Sequence, residues 1–327
     1  MYKNREVPSE LLEFIRDADK FLIAGHKEPD GDCIGSQLAL SSALRRLGKQ
    51  ARPCSAGPFK RTEVMRWEEL FCSAPNEDDR KGARVIVVDC STPDRTGGLA
   101  PYLEGLPVAY IDHHASGSLE SSGGGGLVYL DPAAPSVTYM IFYLLEVLEI
   151  EPTVEEVELL FFGLCTDTGF FRHIDDKGSA VFDCAARMIR QGANPKKTYH
   201  AMYGGKTLNS RILLGNMLSR VESYFDGRLL ITTEEFEESE RYGKEGRDTE
   251  SLYQLLQSVA GIEAVAVIRQ ETLENCTVSF RSLDKIDVGS IAVFMGGGGH
   301  RNASGLSIKG VIPEIKRQIL EAFEQIF

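Results

Sequence analysis

Four short stretches of this chain carry carboxylates and imidazoles at spacings that could hold a cation. In Gly25-His26-Lys27-Glu28-Pro29-Asp30-Gly31-Asp32, one imidazole and two carboxylates share a loop. In Val87-Val88-Asp89-Cys90, a single carboxylate follows an apolar run. Ile111-Asp112-His113-His114 sets a carboxylate beside two imidazoles, and Gly163-Leu164-Cys165-Thr166-Asp167 adds one more carboxylate. Hard divalent cations take carboxylate oxygens, and Mn²⁺ or Fe²⁺ also accept a neutral imidazole. Each stretch also has a plainer reading. Asp32 could cap a helix, Asp89 could close a turn, and His113 and His114 could be a satisfied buried pair. Asp167 could be a polar helix end, but a carboxylate there faces the negative end of the helix dipole and needs a cation nearby.

The flanking sequence says what positions these residues. Phe21–Ala24, Arg84–Val88 and Val108–Ile111 read as strands buried on both faces. Ile34–Leu47, Ser136–Leu148, Val154–Cys165 and Ser179–Gln191 carry apolar residues at helical spacing. Continuous apolar strands separated by helices predict an α/β fold, with a parallel sheet covered by helices on both faces. Ligands of such sheets sit beyond the carboxyl ends of the strands. Three successive strands thus deliver Asp or His at one end of one sheet, and a helix end supplies a fourth carboxylate. Successive side chains on a strand alternate sides. His113 and His114 can therefore both face one pocket only if the strand breaks before them.

The second half reads differently. Strands are expected at Arg228–Thr233, Ala264–Arg269, Cys276–Arg281 and Ala303–Ile308, and helices at Thr249–Val259, Val288–Met295 and Pro313–Phe327. This predicts a smaller α/β domain with a mixed sheet. The expected division is residues 1–195, a helical linker over 196–222, and residues 223–327. A glycine tetrad, Gly296–Gly299, precedes His300-Arg301-Asn302, and Gly298 and Gly299 let backbone N–H groups approach a phosphate closely. Arg281 and His300 are the expected anion grips, with Asn302 beside them. Gly123–Gly126 reads as a loop, the acidic run Glu234–Glu238 as a solvated turn or helix start, and Trp67 as a packing residue rather than a base platform.

Composition sets limits. The 36 basic and 48 acidic residues leave a formal charge of −12, a poor match for long duplex nucleic acid. The seven cysteines are scattered without a CxxC spacing, which fits a reducing cytoplasm. The most apolar helical stretch, Val137–Leu148, is too short to span a bilayer, so no membrane association is expected.

In order and spacing, His26, Asp30, Asp32, Asp89, Asp112-His113-His114 and Asp167 resemble the DHH phosphoesterase family, and Gly296–Gly305 resembles the glycine-rich loop of its associated C-terminal domain. The segments Thr166–Arg172 and Gly192–Pro195 are similar to the nanoRNase/pAp phosphatase group of that family. One departure is that Tyr139 and Met140 follow Ser136-Val137-Thr138 where an acidic residue is usual. The resemblance implies two divalent metal ions, usually Mn²⁺. His26 and Asp30 would hold one, Asp32, His113 and Asp167 the other, and Asp89 would bridge them. His114 would stand beside the scissile phosphate, stabilising charge or protonating the leaving group, and Asp112 would orient a histidine. Arg281, Gly298, Gly299, His300 and Asn302 would bind the nucleotide. The implied activity is hydrolysis of short oligoribonucleotides and of 3′-phosphoadenosine 5′-phosphate (pAp). A cyclic-di-AMP phosphodiesterase and a catalytically silent nucleotide or RNA binder are the alternatives. The implied partners are small nucleotides, with room for a homodimer.

Overall fold

The computed structural model describes residues 6–114, 126–176, 178–243, 246–283 and 285–327. Gly123, Gly124 and Gly125 of the first glycine tetrad lie outside them. The chain divides into two compact units, Met1–Gly204 and Gly205–Phe327.

The first unit is built on five strands: β1 (Lys20–Ala24), β2 (Gln50–Cys54), β3 (Arg84–Val88), β4 (Val108–Asp112) and β5 (Leu127–Leu130). They pair in the order β2-β1-β3-β4-β5, all parallel. Alternate residues of the apolar strands go to opposite faces. Ile86 and Val88 join the larger core with Leu40, Leu44, Val137 and Leu160, whereas Val85 and Val87 join a smaller one with Leu99 and Leu103. Both faces are covered, which is why these strands read as unbroken apolar runs. The strand order reverses between β1 and β3. A crevice opens at such a reversal, beyond the carboxyl ends of the strands.

The second unit holds β6 (Glu222–Tyr224), β7 (Leu229–Glu234), β8 (Ala264–Thr272), β9 (Asn275–Ser282), β10 (Gly298–His300) and β11 (Ala303–Lys309) in the order β10-β11-β9-β8-β7-β6. Only β7 and β8 run parallel, so the sheet is mixed. Three strands lie where none was expected. β2 pairs with β1 along its whole length with Pro53 inside it, β6 follows a helix that ends at Ser219, and β10 takes in half of the second glycine tetrad. Between the expected domains stand two helices, Pro195–Tyr203 and Leu208–Ser219.

The acidic run needs one correction. Its last four residues open the helix Phe236–Tyr242, but Glu234 is fully buried. Arg247 Nη2 lies 2.8 Å from Glu234 Oε1, Arg269 Nε lies 3.2 Å from Oε2, and Ser239 Oγ donates to Oε1 at 2.7 Å. A buried carboxylate stands only when paired and hydrogen-bonded. The local run of charge gave no sign of two arginines so far along the chain. All seven cysteines are free. Among the described residues, no helix is long and apolar enough to cross a membrane.

Candidate metal centre

The loop after β1 is held tightly before it delivers its side chains. Buried Gln37 donates to the carbonyls of Ile23 (2.8 Å) and Cys54 (2.7 Å), locking the ends of β1 and β2 together. Asp30, not Asp32, caps the helix Gly31–Arg46, accepting from the backbone N–H of Asp32 and Cys33. Asp32 lies inside the first turn and is fully buried. Its carboxylate reaches the N-terminus of another helix, Val137–Val147, and accepts from Val137 N (2.6 Å), Thr138 N (2.8 Å) and Thr138 Oγ1 (2.6 Å). Three donors leave it one of roughly four acceptor positions. Close helix approach makes this reach possible. A Cβ on Gly35 would stand 2.5 Å from the Leu159 carbonyl, and one on Gly163 2.4 Å from the Thr138 methyl.

The centre forms around Asp89, which is buried and has a left-handed backbone (φ 60°) just past β3. Such a conformation is strained for a non-glycine residue and persists only where its surroundings enforce it. Here the Asp89 N–H donates to the Ile111 carbonyl at 3.0 Å. Asp89 Oδ2 is 3.3 Å from His26 Nε2, and Oδ1 is 3.7 Å from His113 Nε2 and 3.6 Å from His114 Nδ1. His113 Nε2 is also 3.2 Å from Asp167 Oδ2, and His26 Nε2 is 3.7 Å from Asp30 Oδ1. The strand does break: β4 ends at Asp112, and both following imidazoles reach Asp89.

The backbone and Asp112 fix which ring nitrogen each imidazole offers. His26 Nδ1 lies 2.8 Å from the Lys27 carbonyl, and His113 Nδ1 3.2 Å from that of Ala134. A carbonyl only accepts, so each Nδ1 carries the proton and each Nε2 is turned to the carboxylates. His114 differs. Its Nδ1 is 2.8 Å from Asp112 Oδ1, which also accepts from the backbone N–H of His113 and His114.

This donor set suits divalent ions. Three groups of residues each bring ligand atoms within 4.8 Å of one another: His26, Cys33 and Asp89; Asp89, His113 and His114; and Asp32, His113 and Asp167. Buried Asp89 Oδ1 has no hydrogen-bond partner, the mark of an atom that expects a cation. The Cys33 thiol is less suited. Burial pushes its pKa up to about 11, and Cys33 Sγ donates toward Gln37 Oε1.

Electrostatics show the same need for cations. Burial, with Asp32 and Asp30 nearby, pushes Asp167 up to about 8. Burial also raises Asp89, against the hydrogen bond from His26. At His26 burial works against charge, but Asp30 and Asp89 outweigh it and raise the pKa. Without metal, folded Asp167 keeps its proton to about pH 8, whereas an unfolded Asp releases it near pH ~4. The metal-free fold binds the extra proton in that window, so its stability falls as pH rises through it. His26 acts in the same direction above its unfolded pKa. Chelated protein should therefore show a falling Tm from pH 6 to pH 8.5, and the gain in Tm on adding divalent ions should grow over the same range. A chelated Tm that rises with pH would contradict this.

Two neighbours of the centre escaped the sequence reading. Thr138 was visible only as part of a motif that departs from its relatives. Arg61, whose Nη2 lies 3.7 Å from Asp30 Oδ2, had no local signal.

In the second unit, pairing sets His300 opposite Ala303 and Ala303 opposite Arg281, so the two basic residues share one row across three strands. Arg281 lies over the Tyr253 ring at 4.5 Å and donates to the Phe280 carbonyl. Asn302 Oδ1 is 3.4 Å from Ser282 Oγ, and His300 is exposed. Gly298 and Gly299 belong to β10. A Cβ on Gly299 (φ 144°) would meet Ser304 Cα at 2.4 Å, so only glycine fits.

A carboxylate–imidazole centre at the strand-order reversal of a parallel sheet, followed by a smaller mixed-sheet unit, defines a class. The chain belongs to the DHH family: residues 20–164 match the DHH family N-terminal domain, and residues 230–327 match the DHHA1 domain. Enzymes of this family depend on metal ions and hydrolyse phosphoesters. The chain is 32% identical over 304 residues to the bifunctional oligoribonuclease and PAP phosphatase NrnA of Thermus thermophilus, covering 93% of this chain and 89% of that protein. It is 26% identical to the cyclic-di-AMP phosphodiesterase PdeA of Listeria monocytogenes, across 98% of this chain but only 50% of PdeA. The fold is similar to that of an exopolyphosphatase-related protein from Bacteroides fragilis, with a TM-score of 0.76 at 21% identity, covering 97% of this chain and 95% of that one.

Proposed function

We propose that this protein hydrolyses short oligoribonucleotides and pAp to mononucleotides, using two divalent ions of the Mn²⁺ class. The observation that carries this reading is the Asp89 carboxylate, which turns one oxygen to His26 and the other to His113 and His114. The similarity to NrnA over nearly the full length of both chains supports the choice of substrates. In this reading His26, Asp30 and Asp89 hold one ion, and Asp32, Asp89, His113 and Asp167 the other. When bound, such a pair lowers the pKa of a shared water and offsets charge on the phosphoryl oxygens.

The chain's own residues do the rest. The carbonyls of Lys27 and Ala134 hold two imidazoles with Nε2 forward. Asp112 keeps the proton of His114 on Nδ1, leaving Nε2 to exchange a proton with the leaving oxygen. Burial works against charge on Asp112, but the His114 ring and backbone outweigh it and hold this carboxyl below its usual range. It therefore stays an acceptor at neutral pH.

Arg281, His300 and Asn302, with the backbone of Gly298 and Gly299, bind the anionic part of the nucleotide in this reading. Arg281→Ala should raise KM for pAp about tenfold, the worth of one charge-assisted contact, while metal content stays the same. An unchanged KM would remove Arg281 from the site.

Chromatography of products tests the proposal. With Mn²⁺, the protein should release AMP from pAp and mononucleotides from RNA of two to five residues. Turnover confined to cyclic di-AMP would place it instead with signalling phosphodiesterases. Turnover of none of the three, with metal present, would favour a nucleotide-binding protein.

A further inference from the structure

A second concave site lies in the first unit, along the helix Val154–Asp167 that ends in the metal centre. It encloses about 340 Å³. Trp67, Leu159, Phe162 and Ala201 form its apolar walls, and Arg66 and Lys197 bring positive charge. The Arg66 guanidinium lies 4.0 Å from the centre of the Trp67 ring, and Trp67 packs edge-on to Phe162 at 5.1 Å. Lys197 is neutralised by Glu158. Arg66 forms no ion pair with a described carboxylate and feels Glu158 only at a distance, so its planar set of donors is open to an anion. The remaining acidic wall residue, Glu155, is exposed at the far end.

The site lies near the metal centre by two observations. A Cβ on Gly31, between Asp30 and Asp32, would stand 2.9 Å from Phe162 Cε1. The segment that carries Arg66 and Trp67 also carries Arg61, whose guanidinium reaches the metal-site carboxylate Asp30. A cation at the rim of the centre therefore leads to an aromatic wall with an unpaired arginine. Stacking surfaces interleaved with cations are how proteins hold single-stranded nucleic acid without reading its sequence.

We propose that this pocket is a second nucleotide subsite, which holds the base and phosphate of the residue next to the reacting one in a short RNA. Trp67 and Phe162 contact the base, and Arg66 the phosphate. The assignment rests on the short-RNA reading above and adds to it a site that pAp, a single nucleotide, does not need.

Trp67 is the only tryptophan in the chain, so its emission reports on this pocket alone. Mn²⁺-loaded enzyme is titrated with a triribonucleotide carrying non-hydrolysable linkages, and separately with pAp. Saturable change in emission is expected with the triribonucleotide and not with pAp. Arg66→Ala should weaken the apparent affinity for the triribonucleotide about tenfold, a loss in the range of one nucleotide contact. The same variant should raise KM for a hydrolysable triribonucleotide about tenfold and leave the kinetics on pAp unchanged. Trp67→Phe keeps an aromatic wall and should retain most of the affinity, read by kinetics. Unchanged emission with the triribonucleotide, or Arg66→Ala acting equally on both substrates or on neither, would overturn the subsite. If the enzyme cleaves pAp but no RNA, the substrate proposal fails on its own, and the titration still decides whether the pocket binds.

Discussion

Replacing Asp89 by Ala should reduce turnover of pAp and of a dinucleotide by about 10³-fold or more, to the level of the blank. The size of this effect follows from position. Asp89 is buried, its oxygens face His26 on one side and His113 and His114 on the other, and its Oδ1 has no hydrogen-bond partner. Alanine therefore removes a ligand from both proposed ions at once, whereas Asp30 or Asp167 would be lost from one. The variant should still fold. It loses a buried carboxylate among like charges, which costs stability when metal is absent, and this offsets the cost of placing alanine at a left-handed backbone position. Folding is checked by far-UV circular dichroism beside the assay. A folded variant with more than a tenth of wild-type turnover would remove Asp89 from the centre.

His114→Gln is expected to have the second-largest effect and of a different kind. Its kcat should fall about 10²- to 10⁴-fold, the usual worth of a positioned proton donor, with metal content unchanged. His114 is the imidazole whose Nδ1 is engaged by a carboxylate rather than a carbonyl, and it is the most exposed of the three rings, at 36%. That leaves Nε2 toward solvent and substrate. Asp112→Asn should move kcat in the same direction, because an amide can donate and so admits the wrong ring tautomer. As Asp112 works through His114, the double variant should be little worse than His114→Gln alone. A kcat within threefold of wild type for His114→Gln would show that the proton comes from elsewhere.

How much of this was legible in sequence follows from where the information sits. β1, β3 and β4 are buried on both faces, so they announce themselves as apolar runs, and the residues just after them are marked by position alone. β6 and β10 have three residues each, and β2, as long as β1, carries Gln50, Arg52 and Pro53 instead of an apolar run. Nothing local separates such segments from loops. The capping role that the plainer reading offered Asp32 belongs to Asp30, and Asp32 accepts instead from the N-terminus of a helix 105 residues further on. That contact depends on Gly35 and Gly163 letting helices approach, which no periodicity displays. Glu234 was hidden for a similar reason, since the pairing of β7 with β8 brings Arg269 to it and Arg247 reaches it from outside the sheet. Arg61 had no local signal, and Trp67, read as a packing residue, does pack on Phe162 from the short helix Met65–Leu70.

The most direct test of the centre itself is elemental analysis of the purified, Mn²⁺-equilibrated protein after removal of free metal. The geometry around Asp89 predicts two ions per chain, with neither retained in stoichiometric amount by the folded Asp89→Ala variant. A single ion per chain, or two ions held equally well without Asp89, would contradict a centre in which that carboxylate joins both sides.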